Sequence, residues 1–281
     1  MQIIKSPKEM ATISQQLRHN GLTIGLVPTM GYFHKGHLSL MDKAKEISDK
    51  VIVSLFVNPT QFGPNEDLGK YPRDENRDCK LAEQHGVDYM FMPTPDDIYE
   101  KGFQTFIEVT ELSKGLCGSS RPTHFRGVAT VVAKLFNITK PHKAIFGQKD
   151  YQQLLIIKQM VKDLNMDVEI IPHPIVREPD GLAMSSRNSY LSQEERKSAL
   201  SLYSALKLAE HMIKSGSKDA KEVTTALKKH IESFPYTKID YIFIGSPDTL
   251  KPVNDINGPI LIALAVFVGS TRLIDNAIIT P

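Results

Sequence analysis

An apolar run at residues 51–57, Val-Ile-Val-Ser-Leu-Phe-Val, constrains the fold of this chain more than any other stretch. Its length is that of a β-strand. Because both of its faces are apolar, it must be covered on both sides, as the strands of parallel sheets are. Strand-length runs at 23–28, 87–92 and 143–146 alternate with segments that carry apolar residues at helical spacing. This alternation predicts an α/β fold with a Rossmann-like, doubly wound parallel sheet.

The order of predicted elements changes in the last third of the chain. A polar, glycine-containing loop at 177–188 is followed by two long helices in succession and then by two strands, which indicates a smaller α+β domain. We therefore expect a first domain over residues 1–176 and a second over 177–281. The predicted elements of the second domain are helices at 192–215 and 219–233 and strands at 239–244 and 260–268. A further short strand is expected at 106–109, in the first domain.

Charge and cysteine content exclude several classes of protein. The 34 Lys and Arg residues nearly balance the 32 Asp and Glu residues, so no overall field favours nucleic acid or a membrane surface. Two cysteines in 281 residues cannot build a disulfide framework. The first residues lack the apolar core of a signal peptide, and the apolar run at 260–268 is too short to span a bilayer. The sequence predicts a soluble, cytoplasmic protein that binds neither nucleic acid nor membrane.

Two histidines follow the predicted strand at 23–28. His34 and His37 are three residues apart at a strand-to-helix turn, with Gly36 between them, so their side chains are expected on one face of the first helical turn. A helix N-terminus offers free N–H groups and a positive dipole end, which suit a phosphate anion. The pair alone is more typical of surface residues or of a structural hydrogen-bond network. A zinc site lacks the further ligands that it would need, since the chain contains no C-x-x-C or H-E-x-x-H motif.

A second strand-to-helix turn, at residues 147–150, reads Gly-Gln-Lys-Asp. Ligands of open parallel sheets bind beyond the carboxyl ends of the strands, so this turn and the histidine turn are expected to face one crevice. The run Met184–Asn188 has the composition of an ordinary polar turn before a helix. Lys221, Lys228, Lys229 and His230 read as the solvated face of a helix.

Six ordered blocks between residues 28 and 191 carry a family resemblance. The chain resembles the pantothenate synthetase family, within the superfamily of nucleotidyltransferases and class I tRNA synthetases that carry H-x-G-H and K-M-S-K-S signatures. The blocks are Pro28–Gly31 with His34–His37, Phe56–Phe62, Tyr71–Arg73, His124–Val128, Phe146–Gln153 and Asp180–Asn188.

The resemblance implies an ATP-dependent ligase that condenses pantoate with β-alanine through a pantoyl adenylate. It implies His37 as proton donor, with His34, Lys149 and Arg187 also catalytic, and Gln61 and Gln153 as the residues that bind pantoate. It further implies Mg²⁺, whose ligands are unassigned, and a homodimer. The ATP-binding residues that it implies are Met30, Gly31, Tyr32, Phe33, His34, Lys35, Gly36, His37, Gly147, Gln148, Lys149, Asp150, Val176, Met184, Ser185, Ser186 and Arg187.

The chain departs from the superfamily signature at one position. Where K-M-S-K-S begins with lysine, this chain has Ala183, and a positive charge returns only at Arg187. Two rivals stay open on the residues alone, namely another nucleotidyltransferase or truncated tRNA synthetase, and a non-catalytic nucleotide-binding module. The absence of an anticodon-binding domain weakens the first. The combination of two histidines, Lys149 and the Ser-Ser-Arg run weakens the second, because binding alone does not need donors for a transition state.

Overall fold

The computed structural model describes residues 1–64 and 66–281, and in them the chain divides into two compact units. The sheet unit contains Met1–Lys114, Gly118–Gln148 and Gln153–Pro174. The C-terminal unit contains Gly115–Cys117, Lys149–Gln152 and Ile175–Pro281. The division into folding domains between residues 176 and 177 stays a prediction.

The helices and strands alternate over the first two thirds of the chain. The helices are α1 (Pro7–His19), α2 (Lys35–Ile47), α3 (Glu75–Gln84), α4 (Pro95–Ile98), α5 (Cys117–Ser120), α6 (His124–Thr139), α7 (Tyr151–Asp163), α8 (Gln193–Lys214) and α9 (Ala220–Glu232). The strands are β1 (Gln2–Ile4), β2 (Ile24–Thr29), β3 (Lys50–Leu55), β4 (Tyr89–Phe91), β5 (Lys143–Gly147), β6 (Glu169–His173), β7 (Thr237–Gly245), β8 (Ile260–Val268) and β9 (Thr271–Ile279). Short 3₁₀ turns occupy Pro59–Gln61, Asp67–Gly69, Gln148–Asp150 and Ser186–Tyr190.

The sheet unit is built on a parallel sheet with the strand order β1-β4-β3-β2-β5-β6. From β2 the chain steps to β3 and β4 in one direction, and then returns to place β5 and β6 on the other side of β2. The strand order therefore reverses between β2 and β5, the point at which ligands bind in doubly wound sheets. The predicted α/β fold with a doubly wound parallel sheet is confirmed.

Complete burial explains why the strands are apolar on both faces. Val27, Val51 and Val53 are fully buried in a cluster with residues of α2 and α3. Helices α1 and α6 pack on each other and on β2. Ser6 caps α1 by accepting the N–H of Glu9.

The C-terminal unit packs α8 and α9 on an antiparallel sheet with the order β7-β8-β9. Ser192 and Glu195 form a capping box at the start of α8, where the sequence predicts a helix to begin. The strands predicted at 239–244 and 260–268 are confirmed within β7 and β8. Strand β9, with Asp275 and Asn276 in its interior, was not predicted.

One predicted strand is wrong. Residues 106–109 form no strand, and Ile107 donates its N–H to the Thr130 hydroxyl, 2.9 Å away, rather than to a neighbouring strand. Among the described residues, no helix combines the length and the apolarity that a membrane crossing requires.

Candidate active site

The turn that carries the two histidines, Met30–His37, is called the histidine turn, and it lies where the strand order of the sheet reverses. Strand β2 ends at Thr29, whose hydroxyl donates to the Ser54 carbonyl of β3 at 2.7 Å, and α2 begins at Lys35. Strand β5 is the other neighbour of β2 and runs parallel to it, so Gly147 leaves the sheet at the same end as Thr29. Within the sheet unit, the fold therefore brings together the carboxyl ends of the strands that precede Met30–His37 and Gly147–Gln148.

His34 and His37 cap the helix that they begin. His34 is the N-cap residue, and its Nδ1 accepts the N–H of Gly36 at 3.1 Å. His37 reaches back, and its Nδ1 accepts the N–H of His34 at 3.3 Å. The ring centroids are 4.1 Å apart, which confirms the prediction that both rings lie on one face.

These two hydrogen bonds determine which nitrogen carries the proton. A ring nitrogen that accepts an N–H cannot carry a hydrogen itself, so each neutral imidazole holds its proton on Nε2. In that tautomer each ring carries its N–H on Nε2, a donor of the kind that suits a phosphate oxygen. The two capping hydrogen bonds therefore fix the orientation of both imidazole rings at the start of α2.

Two charged side chains of helix α3 hold the backbone of the turn. Asp78 is 1% exposed, and its carboxylate accepts the N–H of Tyr32 at 2.5 Å and that of Phe33 at 2.7 Å. Arg77 donates to the Phe33 carbonyl at 3.0 Å. Burial raises the pKa of Asp78, while the two backbone N–H groups oppose that rise. The sequence analysis did not identify Asp78. The signal was its spacing, since Asp78 lies four residues before the buried Ala82 and so shares the inward face of the helix.

Replacing Asp78 tests this support. Asp78→Ala leaves the N–H groups of Tyr32 and Phe33 without their acceptor, and each such loss costs about 1–3 kcal/mol. We expect a lower free energy of unfolding in urea. Glu75→Ala, a change in the first turn of the same helix, is the control. Equal stability of the two variants would show that water replaces the carboxylate without cost.

Gln61 lies beside the histidine turn. It is 8% exposed, and its Nε2 points at the Met30 sulfur at 2.9 Å. Asn58 donates from its amide both to Gln61 Oε1 and to the Gly127 carbonyl, each at 3.1 Å, and accepts the Tyr99 hydroxyl at 2.8 Å. Asn58 thus fixes the orientation of the Gln61 amide. The sequence analysis did not identify Asn58 either, because an Asn-Pro pair is typical of a turn that ends a strand.

The first residues of α6 close around the 3₁₀ turn that carries Gln61. A Cβ atom on Gly127 would lie 2.4 Å from the Thr60 carbonyl oxygen, so only glycine permits this approach. The Gln61 carbonyl lies 2.8 Å from His124 Nδ1 and accepts a hydrogen bond from Arg121 at 3.3 Å. Arg121 also pairs with Glu66. Burial alone would raise the pKa of Glu66. The hydrogen bond and the charge of Arg121 outweigh that effect, so the pKa is lowered.

The remaining candidates belong to different elements. Gln153 is half-buried in the first turn of α7. In the C-terminal unit, Lys149 and Asp150 end a 3₁₀ turn, and Met184 donates its N–H to the Val176 carbonyl at 3.0 Å. Ser185 caps the 3₁₀ turn at Ser186–Tyr190 by accepting the N–H of Arg187 at 3.3 Å. The C-terminal unit therefore brings Val176 next to the Met184–Arg187 segment.

Comparison with known proteins identifies the family. A model of the pantoate-beta-alanine ligase family matches residues 2–278. The chain is 56% identical over 279 residues to a pantothenate synthetase from Thermotoga petrophila, covering 99% of this chain and 100% of the relative.

Solved structures give the same result. Pantothenate synthetase from Thermus thermophilus superposes with a TM-score of 0.94 at 42% identity over the full length of both chains. Pantoate-beta-alanine ligase from Francisella tularensis, solved in complex with beta-gamma ATP and beta-alanine, superposes with a TM-score of 0.81 at 38% identity, covering 99% of this chain and 97% of its own. Because the family model matches nearly the whole length of this chain, and because the site is built on the histidine turn, the chain belongs to the pantoate–β-alanine ligase family.

Proposed function

We propose that this chain condenses pantoate with β-alanine at the expense of ATP, through an enzyme-bound pantoyl adenylate. The observation that carries this proposal is the pair of adjacent imidazoles, His34 and His37, which their Nδ1 capping bonds hold at the point where the strand order reverses. Two findings support the choice of substrates. The chain belongs to the pantoate–β-alanine ligase family, and the Francisella tularensis relative was solved with beta-gamma ATP and beta-alanine.

The first step forms the adenylate. A pantoate carboxylate oxygen attacks the α-phosphorus of ATP, and the bond to the β-phosphate oxygen breaks to release pyrophosphate. Negative charge grows on the phosphate oxygens, and donors fixed in advance toward that charge supply a large share of catalysis. His34, His37, Lys149 and Arg187 are the proposed catalytic residues. The proposed ATP contacts are Met30 to His37, Gly147 to Asp150, Val176 and Met184 to Arg187.

The second step forms the amide. The neutral amine of β-alanine attacks the pantoyl carbonyl carbon, AMP leaves with the phosphate oxygen, and the amine loses a proton. Gln61 and Gln153 are the proposed pantoate ligands. An amide both donates and accepts, which suits hydroxyls and a carboxylate, and its neutrality leaves the carboxylate nucleophilic. The contacts of Asn58 and Met30 with Gln61 fit this role, because they hold its amide beside the histidine turn.

Mg²⁺ enters this proposal as the partner of the ATP triphosphate. In the described part of the chain, no three His, Cys, Asp or Glu side chains form a group that could hold a metal ion. This donor set does not provide a dedicated protein cage, but Mg²⁺ commonly keeps several waters and binds through substrate phosphates. We therefore assign Mg²⁺ no protein ligand and no step of its own.

Exchange of labelled pyrophosphate into ATP tests the reaction. We expect exchange to require pantoate and Mg²⁺ but not β-alanine, because adenylation precedes amide formation. Exchange that depended on an amino acid would instead indicate a tRNA synthetase. Binding of ATP without exchange under either condition would indicate a nucleotide-binding module.

Replacing Gln61 or Gln153 should weaken the binding of pantoate and leave the binding of ATP nearly unchanged. Gln61→Ala and Gln153→Ala each remove hydrogen bonds worth on the order of 1 kcal/mol, and more if a buried substrate group loses its partner. We expect the KM for pantoate to rise much more than the KM for ATP in steady-state assays. Gln159→Ala is the matched control, because Gln159 is a partly exposed residue of the same helix as Gln153 and bonds to Asp163. Equal effects on both substrates would assign Gln61 and Gln153 to the fold.

We also propose a cytoplasmic homodimer with domains at 1–176 and 177–281. The family resemblance supports the dimer, and light scattering of the purified protein tests it. A monomer at micromolar concentration would contradict it.

A further inference from the structure

Two polar residues interrupt a buried strand of the C-terminal unit. Asp275 is 2% exposed and Asn276 is 6% exposed, in the middle of β9. A buried carboxylate or amide is costly unless hydrogen bonds compensate for lost water. Successive side chains of a strand point to opposite faces, so these two residues face different parts of the unit.

Asp275 holds the hairpin that leads into the Ser-Ser-Arg run. Both of its carboxylate oxygens accept from the Arg177 guanidinium, at 2.6 and 2.9 Å. Arg177 also donates to the Gly181 carbonyl at 3.0 Å and forms an antiparallel bridge with Ala183. Met184 follows this bridge directly, and the Ser185–Arg187 run begins at the next residue. A bidentate pair is the most geometrically specific contact that a carboxylate makes with a side chain.

Asn276 holds the backbone of Lys149. Its Nδ2 donates to the Lys149 carbonyl at 2.9 Å, and its own N–H donates to Asp275 Oδ1 at 2.8 Å. One strand therefore contacts, through consecutive residues, both segments of the C-terminal unit to which the proposed function assigns catalytic cations.

We propose that Asp275 and Asn276 are positioning residues, Asp275 acting through Arg187 and Asn276 through Lys149. This inference rests on the proposed function, which makes Lys149 and Arg187 catalytic. Neither β9 residue contacts substrate in the proposed mechanism. Asn276 fixes the backbone from which Lys149 extends, and Asp275 fixes the hairpin that leads to Arg187. A displacement of about 1 Å can cost on the order of 10² in rate.

A double-mutant cycle tests the link between Asn276 and Lys149. We expect Asn276→Ala to lower kcat of pantoate-dependent pyrophosphate exchange by roughly tenfold or more, with a small change in the KM for pantoate. In a Lys149→Ala background the same change should cost less than about twofold, because the group that it positions is gone. Asp275→Asn should behave in the same way toward Arg187→Ala. For the slow variants, the rate of adenylate formation is measured in single-turnover assays with enzyme in excess.

A structural control separates positioning from folding. Leu273→Ala removes a side chain of β9 that packs in the hydrophobic cluster of this unit, so it should lower Tm but leave kcat unchanged below the melting range. Additive losses in both cycles would overturn the inference, as would an equal loss of kcat in Leu273→Ala. A wild-type protein without pantoate-dependent exchange would instead overturn the proposed function.

Discussion

His37→Ala should lower kcat for adenylate formation by about 10²–10³, or roughly 2.7–4 kcal/mol, and raise the KM for ATP much less. The reason is that an Nε2–H donor aimed at growing phosphate charge acts mainly in the transition state. His34→Ala should lose activity for the same reason and to a smaller extent. Steady-state kinetics at saturating pantoate measures both effects.

The capping contacts allow the two nitrogens of each ring to be tested separately. Asparagine at position 37 can reproduce the Nδ1 acceptor and keep the cap, but it lacks a group at the position of Nε2. Glutamine at the third helical position is an ordinary capping-box residue, and its amide N–H can also reach outward. We therefore expect His37→Gln to recover much of the activity and His37→Asn to recover stability alone.

Other outcomes would assign a different role to the histidines. Failure of His37→Gln to recover any activity would indicate that His37 transfers a proton, as the family resemblance implies. The loss of a cap costs typically about 1 kcal/mol. If both alanine variants kept normal kcat while melting several degrees lower, the pair would be structural.

Gly127→Ala should both destabilise the sheet unit and weaken pantoate binding. Its Cβ would lie 2.4 Å from the Thr60 carbonyl oxygen and 2.7 Å from the Gln61 nitrogen, both backbone atoms that a rotamer change cannot move. Overpacking of this kind costs about 1–3 kcal/mol, and occasionally more. Since the displaced turn carries Gln61, we expect a large rise in the KM for pantoate together with a lower Tm.

Gly69→Ala provides the matched control, because a Cβ atom at that position meets nothing within 4 Å. It should leave both the KM for pantoate and Tm close to the wild-type values. Normal pantoate binding in Gly127→Ala would show that α6 can withdraw from the turn without disturbing Gln61.

Features that depend on neighbours in sequence were predictable. The caps at Ser6 and Ser192 and the placement of His34 and His37 follow from residues three apart, and the order of strands and helices follows from apolar periodicity. Residues 106–109 have the composition of a strand, but a strand also needs a partner, which no local pattern reveals.

The supporting residues were missed because their partners are far away in sequence. Asp78 accepts from residues 45 and 46 positions earlier, and Asn276 donates to a carbonyl 127 positions earlier. In isolation, Asp275-Asn276 reads as a turn that interrupts an apolar run, which is why β9 was overlooked. The ion pair with Arg177 is what makes an aspartate acceptable inside a strand.

The sharing of the chain between the two units has a consequence for attempts to separate them. In the described residues, the polypeptide passes from one unit to the other at 114/115, 117/118, 148/149, 152/153 and 174/175. A fragment ending at residue 174 would retain Cys117 and Lys149 but lose Tyr241, Arg272 and Asn276, which contact them. No single cut yields two self-contained pieces, so neither unit is available to gene fusion or exchange as an independent block.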